Sequence, residues 1–372
     1  MIYLDHAATT PPYDTVYPRM TQVAAEVFGN PSSRHTAGSA ALKLLRQSRR
    51  NVAALLGVQP QEILFTSGGT ESNNTALFSV QNSPRRQLVI AATEHPSVLR
   101  AAARLERQGF SVTRVLPDTQ GRISPQDVAQ VLSRDTALLS VHAVNNETGV
   151  MQDISAMAEM AHEVGALYHC DAVQSFGHVD LPLSCADLLS LSGHKFGGPR
   201  GVGVLVAKDG VLGSPLLVGG HQEFSYRAGA ENVPGIVGFA LAAQRVCREL
   251  PAETARQEKL ADALLARLRR SISDLILHSG DVPRAPGLLS LRFPGALAEE
   301  LQVRLNEIGI CVGVGAACSS ADTAPSHVLT AMGLTPKEAG ETLRISLGWT
   351  TTEEEIIEAA DAMAQIYELC RK

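Results

Sequence analysis

The chain has 372 residues, 45% hydrophobic and 19% charged, with a formal net charge of −6. That length allows one large α/β domain with an appendage or two to three domains, and the apolar content allows a sizeable core. The scattered charges leave no basic stripe for direct nucleic-acid binding and no polybasic cluster for a membrane surface, and no apolar run approaches the roughly 18 residues of a membrane span. The opening MIYLDHAATT lacks the basic region and apolar core of a signal peptide, so a cytoplasmic protein is expected. Cys170, Cys185, Cys247, Cys311, Cys318 and Cys370 form no CxxC pair and no zinc spacing; reduced thiols, mostly buried, are expected.

In chain order, short β-rich runs alternate with helical stretches. Candidate strands are Ile63–Phe65, Leu88–Ala92, Ala137–Val141, Ala166–His169, Leu188–Leu191 and Gly201–Ala207. Several are nearly continuous in apolar residues, as in a parallel sheet covered on both faces. Candidate helices between them are Ser72–Val80, Ser97–Arg107, Pro125–Leu132 and Ile154–Val164. Strand–helix alternation of this kind predicts an α/β fold with right-handed crossovers. After about residue 233 the pattern changes. A long helical region over Pro234–Ser271 is followed by strands near Leu288–Phe293 and Leu343–Leu347 and helices near Leu297–Ile308 and Glu353–Leu369. This reads as a smaller α+β domain. The expected division is 11–250 for the large domain, with 1–10 and 251–372 forming the small one. The charged pattern near 252–270 reads as a solvated helix face.

Three segments carry candidate chemistry. The loop FTSGGTESNN (65–74) follows a strand and opens a helix. Its two glycines let the backbone approach a ligand, Ser67 and Thr70 offer hydroxyls, and free N–H groups at a helix start favour phosphate. It matches neither GxxxxGK[ST] nor GxGxxG, and taken alone fits a plain turn as well as an anion site. Asp171, in HCDAVQ (169–174), ends an apolar strand, where open α/β sheets place a ligand crevice; alone it also fits a helix N-cap. Lys195, in LSGHKFGGPRGVG (191–203), follows the next strand and precedes a glycine cluster that turns the chain away. Desolvation at such a crevice lowers a lysine's pKa and makes it a nucleophile toward carbonyls. A phosphate loop, a carboxylate and a lysine at three strand ends match the needs of pyridoxal 5'-phosphate. The lysine holds the aldehyde as a Schiff base, the aspartate keeps the ring nitrogen protonated, and the loop binds the phosphate.

The chain resembles the cysteine desulfurases of the NifS/IscS type, within the class V aminotransferase-like group. The resemblance is carried by ten ordered blocks: YLDHAATT (3–10), FGNPSSRH (28–35), FTSGGTESNN (65–74), TEHPSVL (93–99), HAVNNETGV (142–150), CDAVQS (170–175), SGHKFGGPRGVG (192–203), GGHQEFSYRAGAENV (219–233), GAACSS (315–320) and LRISLGW (343–349). It implies a pyridoxal-phosphate fold-type I architecture, a large α/β domain with a mainly parallel sheet plus a smaller α+β domain, and a homodimer. It implies catalytic roles for Lys195, which binds the cofactor covalently, for His95, which stacks on the ring and moves protons, and for Cys318, the sulfur acceptor. Asp171 pairs with the pyridinium nitrogen and Gln174 contacts the ring hydroxyl. Thr70, Ser192 and His194 hold the phosphate. Asn146 lies against cofactor and substrate, and Arg344 receives the substrate carboxylate. The implied reaction converts L-cysteine to L-alanine, with sulfur passed as a persulfide on Cys318 to an acceptor protein in iron–sulfur assembly or nucleic-acid thiolation.

Cys318 lies in VGVGAACSSADTAPSHV, a run of small and turn-forming residues that matches the long-loop branch of the family; the RxGHHC pattern of the short-loop branch is absent. The other five cysteines read as small buried hydrophobes. His142 and His169 read as satisfied core groups, while His6, His35 and His221 have no separable role. One departure stands out: RAGAENV carries Ala230 where the family usually has a threonine expected to reach the phosphate of the neighbouring subunit. Within the same group, a selenocysteine lyase or an aminotransferase is an alternative, although an aminotransferase needs no thiol. A non-enzymatic phosphate or nucleotide binder is the alternative from another class, and leaves Lys195, Asp171 and Cys318 unexplained together.

Overall fold

Strand β1 (Ile2–Leu4) and helices α1 (Val16–Glu26) and α2 (Thr36–Leu56) precede β2 (Ile63–Thr66) in the computed structural model, which describes residues 1–315 and 325–371. Alternation then sets in: α3 (Gly69–Phe78), β3 (Gln87–Ala91), α4 (Pro96–Glu106), β4 (Ser111–Val115), α5 (Pro125–Val131), β5 (Thr136–Ser140), α6 (Ile154–Glu163), β6 (Leu167–Asp171), β7 (Leu188–Ser192) and β8 (Gly203–Ala207). Helix α7 (Val233–Ser271) leads to β9 (Ile276–Leu277), β10 (Leu288–Arg292), α8 (Ala298–Glu307) and β11 (Ile310–Val314). After them come α9 (His327–Ala331), α10 (Pro336–Gly340), β12 (Thr342–Ser346) and α11 (Glu353–Cys370).

Seven strands form one sheet in the order β2-β8-β7-β6-β5-β3-β4. Its pairings are parallel from β7 through β6, β5 and β3 to β4, and only β8 runs antiparallel to its neighbours. Every residue of β5, β7 and β8 is buried, which is why those segments are mostly apolar, with only small hydroxyl residues interspersed. The expected α/β class with a mainly parallel sheet is borne out. The second sheet has five strands in the order β1-β11-β12-β10-β9 and is mostly antiparallel. Its first strand comes from the extreme N-terminus, so residues 5–10 pass directly from this sheet toward the ends of the seven-stranded one.

Helix α7 serves both sheets. Ile236, Phe239 and Ala243 pack into the core around β5–β8, whereas Leu260, Leu264 and Leu268, spaced four apart, pack into the core under the five-stranded sheet. Pro251 falls between these two apolar stripes.

The unanticipated elements have physical explanations. β4 is an edge strand whose residues are mostly solvated, so its sequence SVTRV lacks a buried run. β11, ICVGV, contains a glycine read as a turn signal, yet it pairs with β1 on one side and β12 on the other. Helix α2 is opened by His35, whose Nδ1 accepts from the Gly38 N–H at 3.2 Å, and that gives this histidine a role as an N-cap. Among the described residues no helix is long and apolar enough to cross a membrane.

Candidate active site

The strand ends of the seven-stranded sheet carry the first set of groups. β6 ends on Asp171, which is buried. Its Oδ1 accepts from the Val173 N–H at 3.0 Å and its Oδ2 from Asn73 Nδ2 at 2.7 Å, and the same Asn73 nitrogen donates to Ser97 Oγ at 2.9 Å. Both oxygens of this buried carboxylate thus have a hydrogen-bond donor. β7 ends on Ser192, and a single 3₁₀ turn over Gly193–Lys195 follows. Gly197 then adopts φ 83°, a left-handed conformation that turns the chain away, as the glycine cluster led us to expect. The Lys195 ammonium donates to the carbonyls of Ala7 at 2.6 Å and Ala8 at 3.1 Å, so the N-terminal segment forms one wall of the crevice.

A cavity of ≈ 450 Å³ opens beside this turn. Thr9, Ser67, Thr70, Ser192, His194 and Arg200 supply its polar edge. The leading N–H groups of α3 face no intrahelical acceptor, so this end of the helix favours an anion. Glu71 in that first turn accepts from the Ser67 N–H, and Arg227 pairs with it at 2.9 Å, which offsets its charge. His194 Nδ1 lies 3.2 Å from Thr9 Oγ1. Burial, reinforced by the neighbouring Lys195 charge, pushes the His194 pKa down to about 4, so the ring is neutral at pH 7.

His95 caps α4. Its Nδ1 accepts from the Ser97 N–H at 3.1 Å, which in the neutral ring leaves the proton on Nε2. Burial holds its pKa below the usual imidazole value; the Asp171 charge opposes that shift, and the Lys195 and His327 charges add to it. Gln174 is buried with no partner for Oε1, and it lines a water-sized cavity with His6, Ala7 and His178.

The five-stranded sheet contributes Arg344 from β12, only 3% exposed. Its Nη2 donates to Asp5 Oδ1 at 2.9 Å and its Nη1 to the Asn146 carbonyl at 3.1 Å, while Nε has no partner. Gly313 of β11 makes room for this pair, since a Cβ there would lie 2.6 Å from Asp5 Oδ1 and 3.0 Å from Arg344 Nε. Next to Asn146, the Glu147 carboxylate accepts from Ser326 Oγ at 2.5 Å. Burial pushes the Glu147 pKa up to about 7, against the Ser326 hydrogen bond and the Arg344 charge.

The aminotransferase class-V family model matches residues 2–358. The cysteine desulfurase IscS of Dictyoglomus turgidum is 37% identical over 100% of this chain and 95% of its own length. The solved structure of a NifS-like protein superposes with a TM-score of 0.92, at 34% identity and 99% coverage of both chains. SspA, solved in complex with cysteine, gives a TM-score of 0.84 at 34% identity, covering 95% of this chain and 100% of its own. The chain belongs to the class-V aminotransferases, among the cysteine desulfurases of the NifS/IscS type. It is a pyridoxal-phosphate-dependent enzyme.

The residues present fit that cofactor. The cavity edge offers hydroxyls, the Arg200 cation and a helix start for a phosphate; Asp171 offers a fixed carboxylate; Lys195, on the turn after Ser192, offers an amine; and Gln174 Oε1 is a buried acceptor without a partner. Thr70, Ser192 and His194 share one cavity, and the Asn146 carbonyl meets Arg344. Cys318 lies outside the described residues.

Two expectations require correction. His169 is satisfied, by Ser140 Oγ at 2.8 Å and Ser190 Oγ at 3.1 Å, but neither ring nitrogen of His142 makes a hydrogen bond. His142 Nδ1 stands 3.3 Å from Glu94 Oε1, out of line, because that oxygen accepts from the His142 backbone N–H at 2.6 Å. Of the cysteines read as buried, Cys170 and Cys370 are, whereas Cys185, Cys247 and Cys311 are only partly buried, the first two packed against the rim of the main core.

Sequence reasoning also missed Asn73, Asp5, Glu147, Ser326 and His327. For Asn73 the signal was available: α3 turns Ser72, Asn73 and Ala76 inward, so a polar residue on that face needs a buried partner. The other four act across 179 to 339 residues of chain or across the two sheets, and no local pattern points to them.

Proposed function

We propose that Lys195 binds the cofactor covalently, that Asp171 and Gln174 hold its ring, and that Thr70, Ser192 and His194 hold its phosphate. Arg344 and Asn146 receive the cysteine carboxylate, and Cys318 accepts the sulfur. The observation that carries this reading is the pairing of two adjacent strand ends: Asp171 ends β6 and Lys195 follows β7, directly after Ser192 and His194, which line a cavity edged by hydroxyls. When bound, pyridoxal phosphate supplies an electron sink for bonds broken at the substrate α- and β-carbons. Asp171 fixes a negative charge at one end of the crevice. Neutral His95, with its proton on Nε2, sits within electrostatic reach of both Asp171 and Lys195, and it serves as a proton carrier at neutral pH. The Cys318 thiolate forms a bond to the substrate sulfur as the substrate carbon–sulfur bond breaks. The carbon fragment keeps the electron pair and gains a proton. L-cysteine plus the protein thiol thus gives L-alanine plus a protein persulfide, with carbon reduced and sulfur oxidised.

Division of the chain into 11–250 and 1–10 with 251–372 is supported by β1 joining the second sheet and by Pro251 separating the two stripes of α7. A homodimer is supported by Leu217, Val218 and Phe224, exposed apolar residues on one loop, with Val218 82% exposed. That loop is pinned from below by Glu223, which pairs with Arg49 while Glu223, Phe224 and Ser225 hold left-handed φ values. The free thiols fit a cytoplasmic location and a persulfide handed on to an acceptor protein for iron–sulfur assembly or nucleic-acid thiolation.

The test uses two variants of the holoenzyme. Lys195→Ala is expected to retain no borohydride-fixed cofactor and no turnover. Cys318→Ser is expected to keep the cofactor and the spectral response to cysteine, while mass spectrometry after a cysteine pulse finds added sulfur only on the wild-type 315–326 peptide. Undiminished alanine production by either variant, or added sulfur on Cys170 or Cys311, overturns the assignment.

A further inference from the structure

Two consecutive side chains at the start of α9 reach two different strand-end loops of the large sheet. Ser326 donates to Glu147 in the loop after β5, and accepts from the Leu329 N–H at 3.1 Å as the helix N-cap. His327 Nε2 donates to the carbonyl of Glu94, the residue before His95, at 3.0 Å. On the other side of the 316–324 segment, a Cβ on Gly315 would lie 2.7 Å from the same Glu147 oxygen that Ser326 holds. Both shoulders of the segment that contains Cys318 therefore meet one buried carboxylate.

The apolar side of α9 does not join either main core. Val328, Leu329, Met332 and Ala339 form a small cluster of their own. Polar contacts to Glu147 and Glu94 thus fix this helix relative to the strand ends that carry Lys195, Asp171 and His95. Arg344 is tied in as well, through its hydrogen bond to the carbonyl of Asn146, one residue before Glu147.

We propose that Ser326 and His327 are positioning residues for sulfur transfer: they latch the C-terminal shoulder of the 316–324 segment onto Glu147 and the Glu94 carbonyl. The latch fixes Ser326 and His327, on the C-terminal side of that segment, against the loop whose Asn146 carbonyl meets Arg344. Neither side chain lines the cavity beside Ser192 and His194. The inference rests on Cys318 being the sulfur acceptor.

The test compares two steps in the holoenzyme in single turnover. The first is the change in cofactor absorbance on adding cysteine, and the second is the appearance of sulfur on the protein by mass spectrometry. The double variant Ser326→Ala/His327→Phe is expected to keep the first step within about twofold and to slow the second by about tenfold or more, the scale of a lost buried hydrogen bond. His327→Gln, whose amide can still donate to the Glu94 carbonyl, is expected to recover most of the rate relative to His327→Phe. An unchanged second step in the double variant, with Cys318→Ser inactive, overturns the latch and leaves Cys318 standing. Equal loss of both steps with no rescue by glutamine also overturns it, since that is general damage. Persistent sulfur transfer in Cys318→Ser overturns the acceptor reading, and the latch with it.

Discussion

The two sheets bring charge to the site by different means. On the seven-stranded sheet, Asp171 is held by neutral donors close at hand: the backbone two residues on and an asparagine on the adjacent helix. On the five-stranded sheet, Arg344 is held by Asp5, 339 residues away, by a carbonyl of the other sheet's loops, and by the field of Glu147. The first arrangement needs only the large sheet to be folded. The second exists only once the N-terminal strand, β12 and the β5–α6 loop have all met. The Asp171 contacts are therefore a property of one sheet and the Arg344 contacts a property of the junction, which Lys195 shares through the Ala7 and Ala8 carbonyls.

Breaking each side separately sharpens that contrast. Asn73→Ala leaves Asp171 Oδ2 and Ser97 Oγ without their donor. It is expected to weaken cofactor retention about 10- to 100-fold, as for a buried polar group left unpaired, with little change in the KM for cysteine of the loaded enzyme. Arg344→Lys removes the planar fork that grips Asp5 and Asn146 together, and is expected to raise that KM about tenfold or more without loosening the cofactor. Equilibrium dialysis of cofactor and steady-state kinetics read the two effects. If either variant shifts both quantities equally, the division between sheet and junction is wrong.

This division also marks what was legible in the sequence. Lys195, Asp171 and the 65–74 loop stand at the ends of apolar runs, and a strand end in an α/β pattern is a local signal. Arg344 carries no such signal: β12 reads TLRIS, an alternating strand with one charge, and the partner Asp5 sits in the first block of the chain. Residue resemblance named Arg344, whereas physics alone pointed to Lys195, Asp171 and the 65–74 loop. Glu147 went unremarked because its burial is produced by α9 and β12 closing over a loop, which no window around residue 147 contains. The glycines at 313 and 315 were read as turn formers. Gly313 is in a paired strand, where the missing side chain makes space for the Asp5–Arg344 pair.

Glu147 gives the junction a pH dependence. Its folded pKa of about 7 lies above the ordinary 4.5, raised by burial. A raised carboxyl binds its proton more tightly in the folded state. Its contribution to stability is therefore full below about pH 4.5 and is lost as pH rises toward 7, by at most about 3 kcal/mol. The difference in Tm between wild type and Glu147→Gln is expected to move against the wild type between pH 5 and 8, because glutamine keeps the shape and never ionises. Taking this difference cancels buried histidines such as His169 and His194, whose depressed pKa values act in the opposite direction. Parallel pH profiles for the two proteins rule out Glu147 as a titrating group.

The smallest effect belongs to Ala230, exposed on the loop that also carries Val218 and Phe224. In the proposed dimer this loop faces the neighbouring cofactor site, and the methyl group of Ala230 cannot donate to a phosphate there. Ala230→Thr adds one hydroxyl and is expected to slow cofactor loss by about two- to tenfold, the scale of one net hydrogen bond. The gain is small because the Thr70, Ser192 and His194 edge and the start of α3 already surround the cavity. A two-fold interface makes the effect reciprocal, each subunit supplying its partner's site, so it must vanish where the protein is monomeric. The measurement is the cofactor off-rate of wild type and variant, first at a concentration where sedimentation shows dimers and then after dilution. Slower loss only in the dimer supports a shared phosphate site. Equal off-rates in the dimer show that the Glu71–Arg227 side of the loop leaves no phosphate within reach of position 230, and that the cofactor is retained by groups of one subunit alone.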